Sequence, residues 1–269
     1  MRINPEQVEK VILNFLRTEL SRIGYEKGVV GLSGGLDSTT VLYLLTRAVG
    51  PENAIAVIMP HEVSSKESVE DAMEVVKILG VKHYLIDITP MVEAYFEKMP
   101  TDDRVLKGNK MARERMSILY DISAREKALV IGTSNKSEIL LGYGTLFGDL
   151  ASAINPIGDL YKTQIRQLAE YLGVPQKIRE KPPSADLWVG QTDEGELGIT
   201  YDEADRILFE LIDERRPENE VAEKYGRKKV EGILKKVFMY HFKRVPPQIL
   251  KISSRTVGRD FLYSRDVLT

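Results

Sequence analysis

The chain has 269 residues, 43% hydrophobic and 29% charged, with 38 Lys plus Arg against 40 Asp plus Glu and no cysteine. At about 150 residues per domain the length falls between one and two domains, and the composition is that of an ordinary globular protein, so we expect one domain over residues 1–269. A formal charge of −2 argues against coating nucleic acid or an anionic membrane, and the absent cysteine excludes disulfides, thiolate metal sites and a cysteine nucleophile.

Asn4, Pro5 and Glu6 form a cap, a first-turn proline and a first-turn acid. Apolar residues at Val8, Val11, Ile12, Phe15, Leu16, Leu20 and Ile23 then predict an amphipathic helix closed by Gly24. No signal-peptide core precedes or interrupts it, and no later apolar run reaches the ~20 residues of a membrane span, so the expected location is cytoplasmic. A β-branched run over 28–32 predicts a buried strand that stops in Ser33-Gly34-Gly35-Leu36-Asp37-Ser38. A helix over 38–49, a strand over 54–59 halted by Pro60, a helix capped by Ser65 and closed by Gly80, and a strand over 81–88 follow. A helix over 109–127 leads into a fourth strand at 128–132, and after Gly158 the pattern is mainly helical, over 161–172, 202–214 and 227–240. Near-continuous apolar strands alternating with helices predict an α/β fold, a doubly wound, mostly parallel sheet with helices on both faces. The extra C-terminal helices are expected to pack onto the same domain.

In such a sheet, ligands bind beyond the carboxyl ends of the strands, where helix N-termini offer free N–H groups. The loop after the first strand lies there. Its paired glycines allow close backbone approach, and Ser33, Ser38 and Thr39 add hydroxyls, which suits phosphate oxygens. Asp37 would repel such a ligand unless a divalent cation intervened, so its carboxylate reads as a magnesium ligand. Neither G-x-x-x-x-G-K-[ST] nor a G-x-G-x-x-G after a strand is present, which weakens kinase, GTPase and dinucleotide-oxidoreductase readings.

Ser-Gly-Gly-Leu-Asp-Ser after the first strand resembles the pyrophosphate-binding loop of the ATP-pyrophosphatase superfamily, whose members split ATP between its α- and β-phosphates to adenylate an oxygen. Further blocks narrow the resemblance to the NAD synthetase family. These are Lys107-Gly108-Asn109 with 111–116, Gly132-Thr133-Ser134-Asn135-Lys136-Ser137-Glu138, the run from Asn155 to Gln164, and Pro182-Pro183-Ser184-Ala185-Asp186-Leu187. They lie in family order over about residues 28–250.

The resemblance implies amidation of nicotinic acid adenine dinucleotide (deamido-NAD) by ammonia, with ATP consumed to AMP and pyrophosphate through an acyl-adenylate. It places the ATP site on Gly31, Leu32, Ser33, Gly34, Gly35, Leu36, Asp37, Ser38, Thr133, Lys162 and Ser184, and magnesium on Asp37 and Glu138. Asp37, Glu138 and Lys162 are the expected catalytic residues, and Arg113 and Lys243 the expected deamido-NAD contacts. A homodimer with the dinucleotide at the subunit interface is also implied, and helices at 117–128 and 160–172 could serve that interface or the core. With no cysteine for a glutaminase, ammonia is expected to be used free. Read singly, Glu138 would be a first-turn acid, Lys162 a solvated helix lysine and Arg113 an exposed partner of Glu114. Leu146, Ala153 and Phe242 depart from the family pattern, all on the dinucleotide side. His61 and His83 have no partner at metal-ligand spacing, and Trp188 sits in a stretch that reads as a flap or as packing. The competing expectations are another ATP-pyrophosphatase, GMP-synthetase-like or tRNA-modifying, and a non-catalytic adenine-nucleotide sensor.

Overall fold

In the computed structural model, which describes residues 1–188 and 190–257, α1 (Pro5–Ile23) starts where the Asn4 side chain accepts from Gln7 N and stops at Gly24, φ +78°. Then come β1 (Lys27–Gly31), α2 (Leu36–Val49), β2 (Ala54–Ile58), α3 (Lys66–Leu79), β3 (Lys82–Leu85), α4 (Thr89–Phe96), α5 (Arg104–Glu126) and β4 (Ala128–Val130). The rest is helical: α6 (Lys136–Leu141), α7 (Lys162–Leu172), α8 (Gln176–Glu180), α9 (Asp193–Leu197), α10 (Tyr201–Leu208), α11 (Glu218–Tyr225) and α12 (Arg227–Met239).

The four strands are parallel, in the order β3-β2-β1-β4. Alternate residues point to opposite faces. Val29, Ile55 and Val57 meet Phe96, Met111 and Ile122 of α4 and α5, while Val30, Ala56 and Ile58 meet Leu16, Leu42, Val76 and Leu168 of α1, α2, α3 and α7. Every residue of β2 is buried, which is why its sequence is apolar without alternation. A separate cluster joins Leu141, Tyr161, Tyr201, Leu208, Val221, Val230 and Val237, so the C-terminal helices build their own core against α6 and the start of α7. The doubly wound, mostly parallel sheet with added helices is thus the observed architecture.

Several element boundaries differ from expectation for local reasons. Helix α5 starts at Arg104 because the Asp103 carboxylate accepts from Val105 N and Leu106 N at 2.8 and 3.2 Å. Of the strand expected over 81–88, β3 is the regular part; Ile86 N and Ile88 N still donate to Ile58 O and Pro60 O, both at 2.9 Å, and Asp87 accepts from Thr89 N at 2.8 Å as the chain turns into α4. The helix expected over 202–214 changes pitch at Leu208 into a π-helical turn, Phe209–Asp213, where Asp213 accepts from Tyr161 Oη at 2.5 Å and Lys136 Nζ at 2.7 Å. Helix α7 is core: Ile165, Leu168 and Ala169 are fully buried. Among the described residues no helix is long and apolar enough to cross a membrane.

From β1 the chain moves outward through β2 to β3, then crosses back to lay β4 on the other side of β1. The reversal leaves a crevice at the carboxyl ends of β1 and β4, which is where ligands enter open α/β sheets.

Candidate active site

The loop after β1 opens onto that crevice. Its serines knit the turn together: Ser33 N donates to Ser38 Oγ at 3.2 Å, Gly35 N donates to Ser33 Oγ at 3.2 Å, and the two hydroxyls lie 3.0 Å apart. Gly34 has φ +78°, and a Cβ there would lie 2.2 Å from the Ser68 carbonyl oxygen, so only glycine fits. Gly35 caps α2 with no side-chain hydrogen bond, leaving the helix N-terminus open to an anion. Thr39 is fully buried, with its Oγ1 unpartnered.

Three residues from distant parts of the chain meet beside this loop. The Lys162 ammonium bonds the Asp37 carboxylate and lies 3.4 Å from Glu138 Oε1. Asn135, at the end of the β4 segment, donates from Nδ2 to Asp37 Oδ1 at 3.1 Å. It also forms a capping box with Glu138: Asn135 N donates to Glu138 Oε2 at 3.2 Å and Glu138 N to Asn135 Oδ1 at 3.0 Å. Burying a charge costs on the order of several kcal/mol, and burial alone would push the lysine's pKa down. The two carboxylates outweigh it and hold the ammonium well above the ordinary lysine range. Burial acts oppositely on Glu138, pushing it up to about 8 against the attraction of Lys162.

A second layer holds Lys162 in place. Its backbone N donates to Ser137 Oγ at 2.9 Å, Ser137 Oγ donates to Asp205 Oδ1 at 2.5 Å, and Thr163 N donates to Asp205 Oδ2 at 2.9 Å. Asp205 is fully buried, so it fixes the first turn of α7. The Lys162 ammonium lies 5.3 Å from the Tyr201 ring centroid, a cation–π distance. Tyr201 and Tyr143 both place hydroxyls on buried Asp193, at 3.3 and 3.0 Å. Sequence reasoning did not single out Asn135, Asp205, Tyr201, Tyr143 or Asp193 for these roles. Only Asn135 had a usable signal, an N-cap residue with Glu three positions on.

A cavity of about 730 Å³ runs from these residues across the strand ends. Its walls include Gly31, Leu32, Ser33, Gly35, Leu36, Asp37, Ser38, Thr133, Glu138, Lys162, Ser184 and Lys243. Gly34 forms the turn between lining residues. Arg113 is not on this wall: its Nε donates to the Leu146 carbonyl at 3.3 Å on the exposed side of α5, and Glu114 pairs instead with Lys110. Lys243 Nζ donates to Gly142 O and Gly144 O at 2.8 and 2.7 Å, and burial lowers its pKa. Phe242 is exposed, and Ala153 N donates to Val130 O at 2.9 Å. Trp188 joins the cavity wall near Gly108 of α5. His61 is buried in the turn after β2, outside the wall, and His83 is exposed on β3.

The donor set suits a small divalent cation. Asp37 and Glu138 face one lysine, with Asp193 near enough to act on its charge, so the cluster presents carboxylate oxygens, the hard donors such a cation takes. Among the described residues no group of three or more His, Cys, Asp or Glu is arranged to hold a metal unaided. Mg2+ commonly takes one or two carboxylates and completes its shell with substrate phosphates and water. The arrangement as a whole can seat a polyphosphate on the loop, steady its charge with Lys162 and a cation, and present the cavity to a second substrate.

The chain is similar to known proteins over most of its length. A family model described as NAD synthase matches residues 8–247. The chain is 52% identical over 267 residues to an NH3-dependent NAD+ synthetase of Trichlorobacter lovleyi, covering 99% of this chain and 98% of that one. A relative of the same description from Chlorobium phaeobacteroides is 49% identical over 261 residues, with 96% and 94% covered. Among solved structures, the NMN synthetase of Francisella tularensis superposes with TM-score 0.83 at 34% identity, covering 93% and 99% of the two chains. The NH3-dependent NAD synthetase of Campylobacter jejuni superposes with TM-score 0.80 at 33% identity, covering 93% and 100%.

Proposed function

The chain belongs to the NAD synthase family, and we propose that it is a ligase that amidates deamido-NAD with ammonia and ATP. The observation that carries the residue-level reading is Lys162, held between Asp37 and Glu138 beside a glycine loop at the switch point of the sheet.

A carboxylate resists ammonia because it is anionic and its oxygen leaves poorly. In this reading a carboxylate oxygen of deamido-NAD attacks the α-phosphorus of ATP, the α–β bridging bond breaks, and pyrophosphate departs with the electron pair. Ammonia then attacks the acyl carbon, loses a proton, and AMP leaves with the original carboxylate oxygen. The loop residues Gly31 to Ser38, Thr133 and Ser184 hold the nucleotide. Lys162 sits where the leaving pyrophosphate gathers charge, and its fixed ammonium needs no reorganisation to meet it. Mg2+ on Asp37 and Glu138 would neutralise the phosphates. Lys243, on the cavity wall, and Arg113, outside it, are assigned to the dinucleotide.

The position of Arg113 supports a homodimer, with the dinucleotide reaching from the cavity onto the α5 surface and a second copy covering it. Val105, Leu106 and Tyr120 on α5 are exposed, as an apolar interface requires. An enzyme drawing on ATP and free ammonia is placed in the cytoplasm. The test is product analysis with purified protein, ATP, Mg2+ and ammonium. NAD, AMP and pyrophosphate are expected only with deamido-NAD; ADP as product, or turnover of xanthosine monophosphate instead, contradicts the reading. Nicotinic acid mononucleotide is the alternative substrate to assay beside it, given the resemblance to the NMN synthetase; preference for it moves the reaction to the mononucleotide.

A further inference from the structure

Lys162 is one positive charge, already faced by two carboxylates, whereas a nucleotide polyphosphate carries several negative charges. The sheet order shows where a further cation can stand. The glycine loop leaves β1, which has β4 on one side and β2 on the other. Lys162, with Asn135 and Glu138, approaches over the β4 side. The opposite side is walled by α3, which follows β2, and Lys181 lies against it.

Lys181 Nζ donates to Ser68 Oγ and to Asp71 Oδ2, both at 3.1 Å, and its half-buried side chain lines the same cavity. Asp71 is buried and its other oxygen, Oδ1, pairs with Lys177 at 2.7 Å. Burial pushes the Asp71 carboxyl up, but hydrogen bonds from Lys177 and Lys181 outweigh it and hold the group below its ordinary value. Lys177 also pairs with Glu74 Oε2 at 2.6 Å, so two acids of α3 share two lysines, and Lys181 is the one of the two that lines the cavity. An ammonium has three donors; two are placed, and no acceptor among the described residues takes the third. Ser68, which Lys181 bonds through its hydroxyl, is also the residue whose carbonyl packs on Gly34, so the ammonium stands beside the loop. Ser184 is three residues further along the same segment, which is tied to α3 again where Ser65 N donates to Asp186 Oδ2 at 2.9 Å.

We propose that Lys181 is a second phosphate-binding cation, holding the β- and γ-phosphates of the nucleotide, and the pyrophosphate they become, from the α3 side of the loop. This rests on the nucleotide reading of the cavity. The buried Asp71 is its positioning residue, keeping the ammonium at the cavity wall before the ligand arrives.

The experiment is calorimetric titration of the 269-residue chain with ATP, pyrophosphate and AMP in the presence of magnesium. Lys181→Met is expected to weaken ATP and pyrophosphate roughly tenfold or more, the worth of a charged hydrogen bond, and to leave AMP unchanged, since AMP lacks the contacted phosphates. Lys181→Arg keeps the charge and the pairing with Asp71, and is expected to recover most of the loss and to hold the melting temperature. Unchanged ATP and pyrophosphate affinity in Lys181→Met overturns the proposal. So does an equal loss for AMP, which marks a displaced segment rather than a lost phosphate contact. Wild-type protein that binds none of the three overturns the nucleotide reading itself, and the role of Lys181 with it.

Discussion

Lys162 and Asp37 lie 125 positions apart in the chain and form one ion pair, with Glu138 Oε1 3.4 Å from the same ammonium. The pair joins the first turn of α2 to the first turn of α7 across the carboxyl ends of β1 and β4. A charge buried this deeply is kept only by its partners. Its placement beside an uncapped helix N-terminus fits a group that meets an anion during reaction.

Replacing Lys162 with Met removes the charge that the proposed mechanism sets against the leaving pyrophosphate. Loss of one preorganised stabilising group costs about 10²–10³ in kcat, and ATP-dependent pyrophosphate release by Lys162→Met is expected to fall at least that far. Lys162→Arg is expected to recover little, because a planar fork does not fit a site built around a compact ammonium between two carboxylates. Near-normal turnover by Lys162→Met would remove the residue from the mechanism.

The two glycines of the loop are expected to respond differently to alanine. At Gly34 the left-handed conformation costs about 1–2 kcal/mol, and the new Cβ meets the Ser68 carbonyl at 2.2 Å. At Gly35 the backbone is extended, which any residue adopts, and the nearest atom is Ser33 Oγ at 3.2 Å, a contact relieved by a small shift. Urea unfolding and ATP titration should show Gly34→Ala losing both stability and nucleotide, with Gly35→Ala much milder. The reverse order would mean the turn differs from the one described.

Asp205 touches no cavity residue through its side chain except by way of Ser137 and the α7 backbone. Asp205→Ala leaves a buried hydroxyl and a partly buried N–H without their acceptor, a loss of about 3 kcal/mol measurable in the denaturant midpoint. Activity should fall as well, chiefly in kcat, because Lys162 loses its fixed helix turn. Asp205→Asn, which keeps one acceptor oxygen, should lie between. An Asp205→Ala protein as stable as wild type would contradict the assignment.

His61 gives the expected acid sensitivity. Burial lowers its pKa below the ordinary 6.5, and nearby acids, Glu62 and Glu93 among them, offset only part of that. The folded chain therefore binds fewer protons here than the unfolded chain. The contribution of His61 to stability is present above pH 6.5 and is lost as pH falls from there through the folded value. The slope is at most about 1.4 kcal/mol per pH unit. Melting curves between pH 8 and 5 should show His61→Leu losing less stability than wild type on acidification; parallel curves would place the sensitivity elsewhere.

Much of this molecule was legible because its signals are local. The unbroken apolar runs of β1 and β2, the glycine stops at Gly24 and Gly80, and the Ser33 to Ser38 loop are each readable within a few residues. The π-helical turn after Leu208 was not, because its cause is tertiary: Tyr161 and Lys136 both bond Asp213. The site followed the same division. Asp37, Glu138 and Lys162 stood inside recognisable blocks. Asp205 and Tyr201 carry no motif of their own, and their roles exist only once α10 packs against α7. Lys181 sat one residue before a quoted block, and nothing in its neighbours indicated that a buried acid on α3 would hold it at the cavity wall.

The central claim is that the carboxylate of the substrate is adenylated at the crevice between β1 and β4. Deamido-NAD carrying heavy oxygen in its nicotinate carboxylate tests it most directly, with mass spectrometry of the products after complete turnover with ATP, Mg2+ and ammonium. The account predicts that one heavy oxygen leaves in the phosphate of AMP and the other stays in the carboxamide of NAD. Heavy oxygen in inorganic phosphate with ADP as the nucleotide product, or AMP without label, would contradict it.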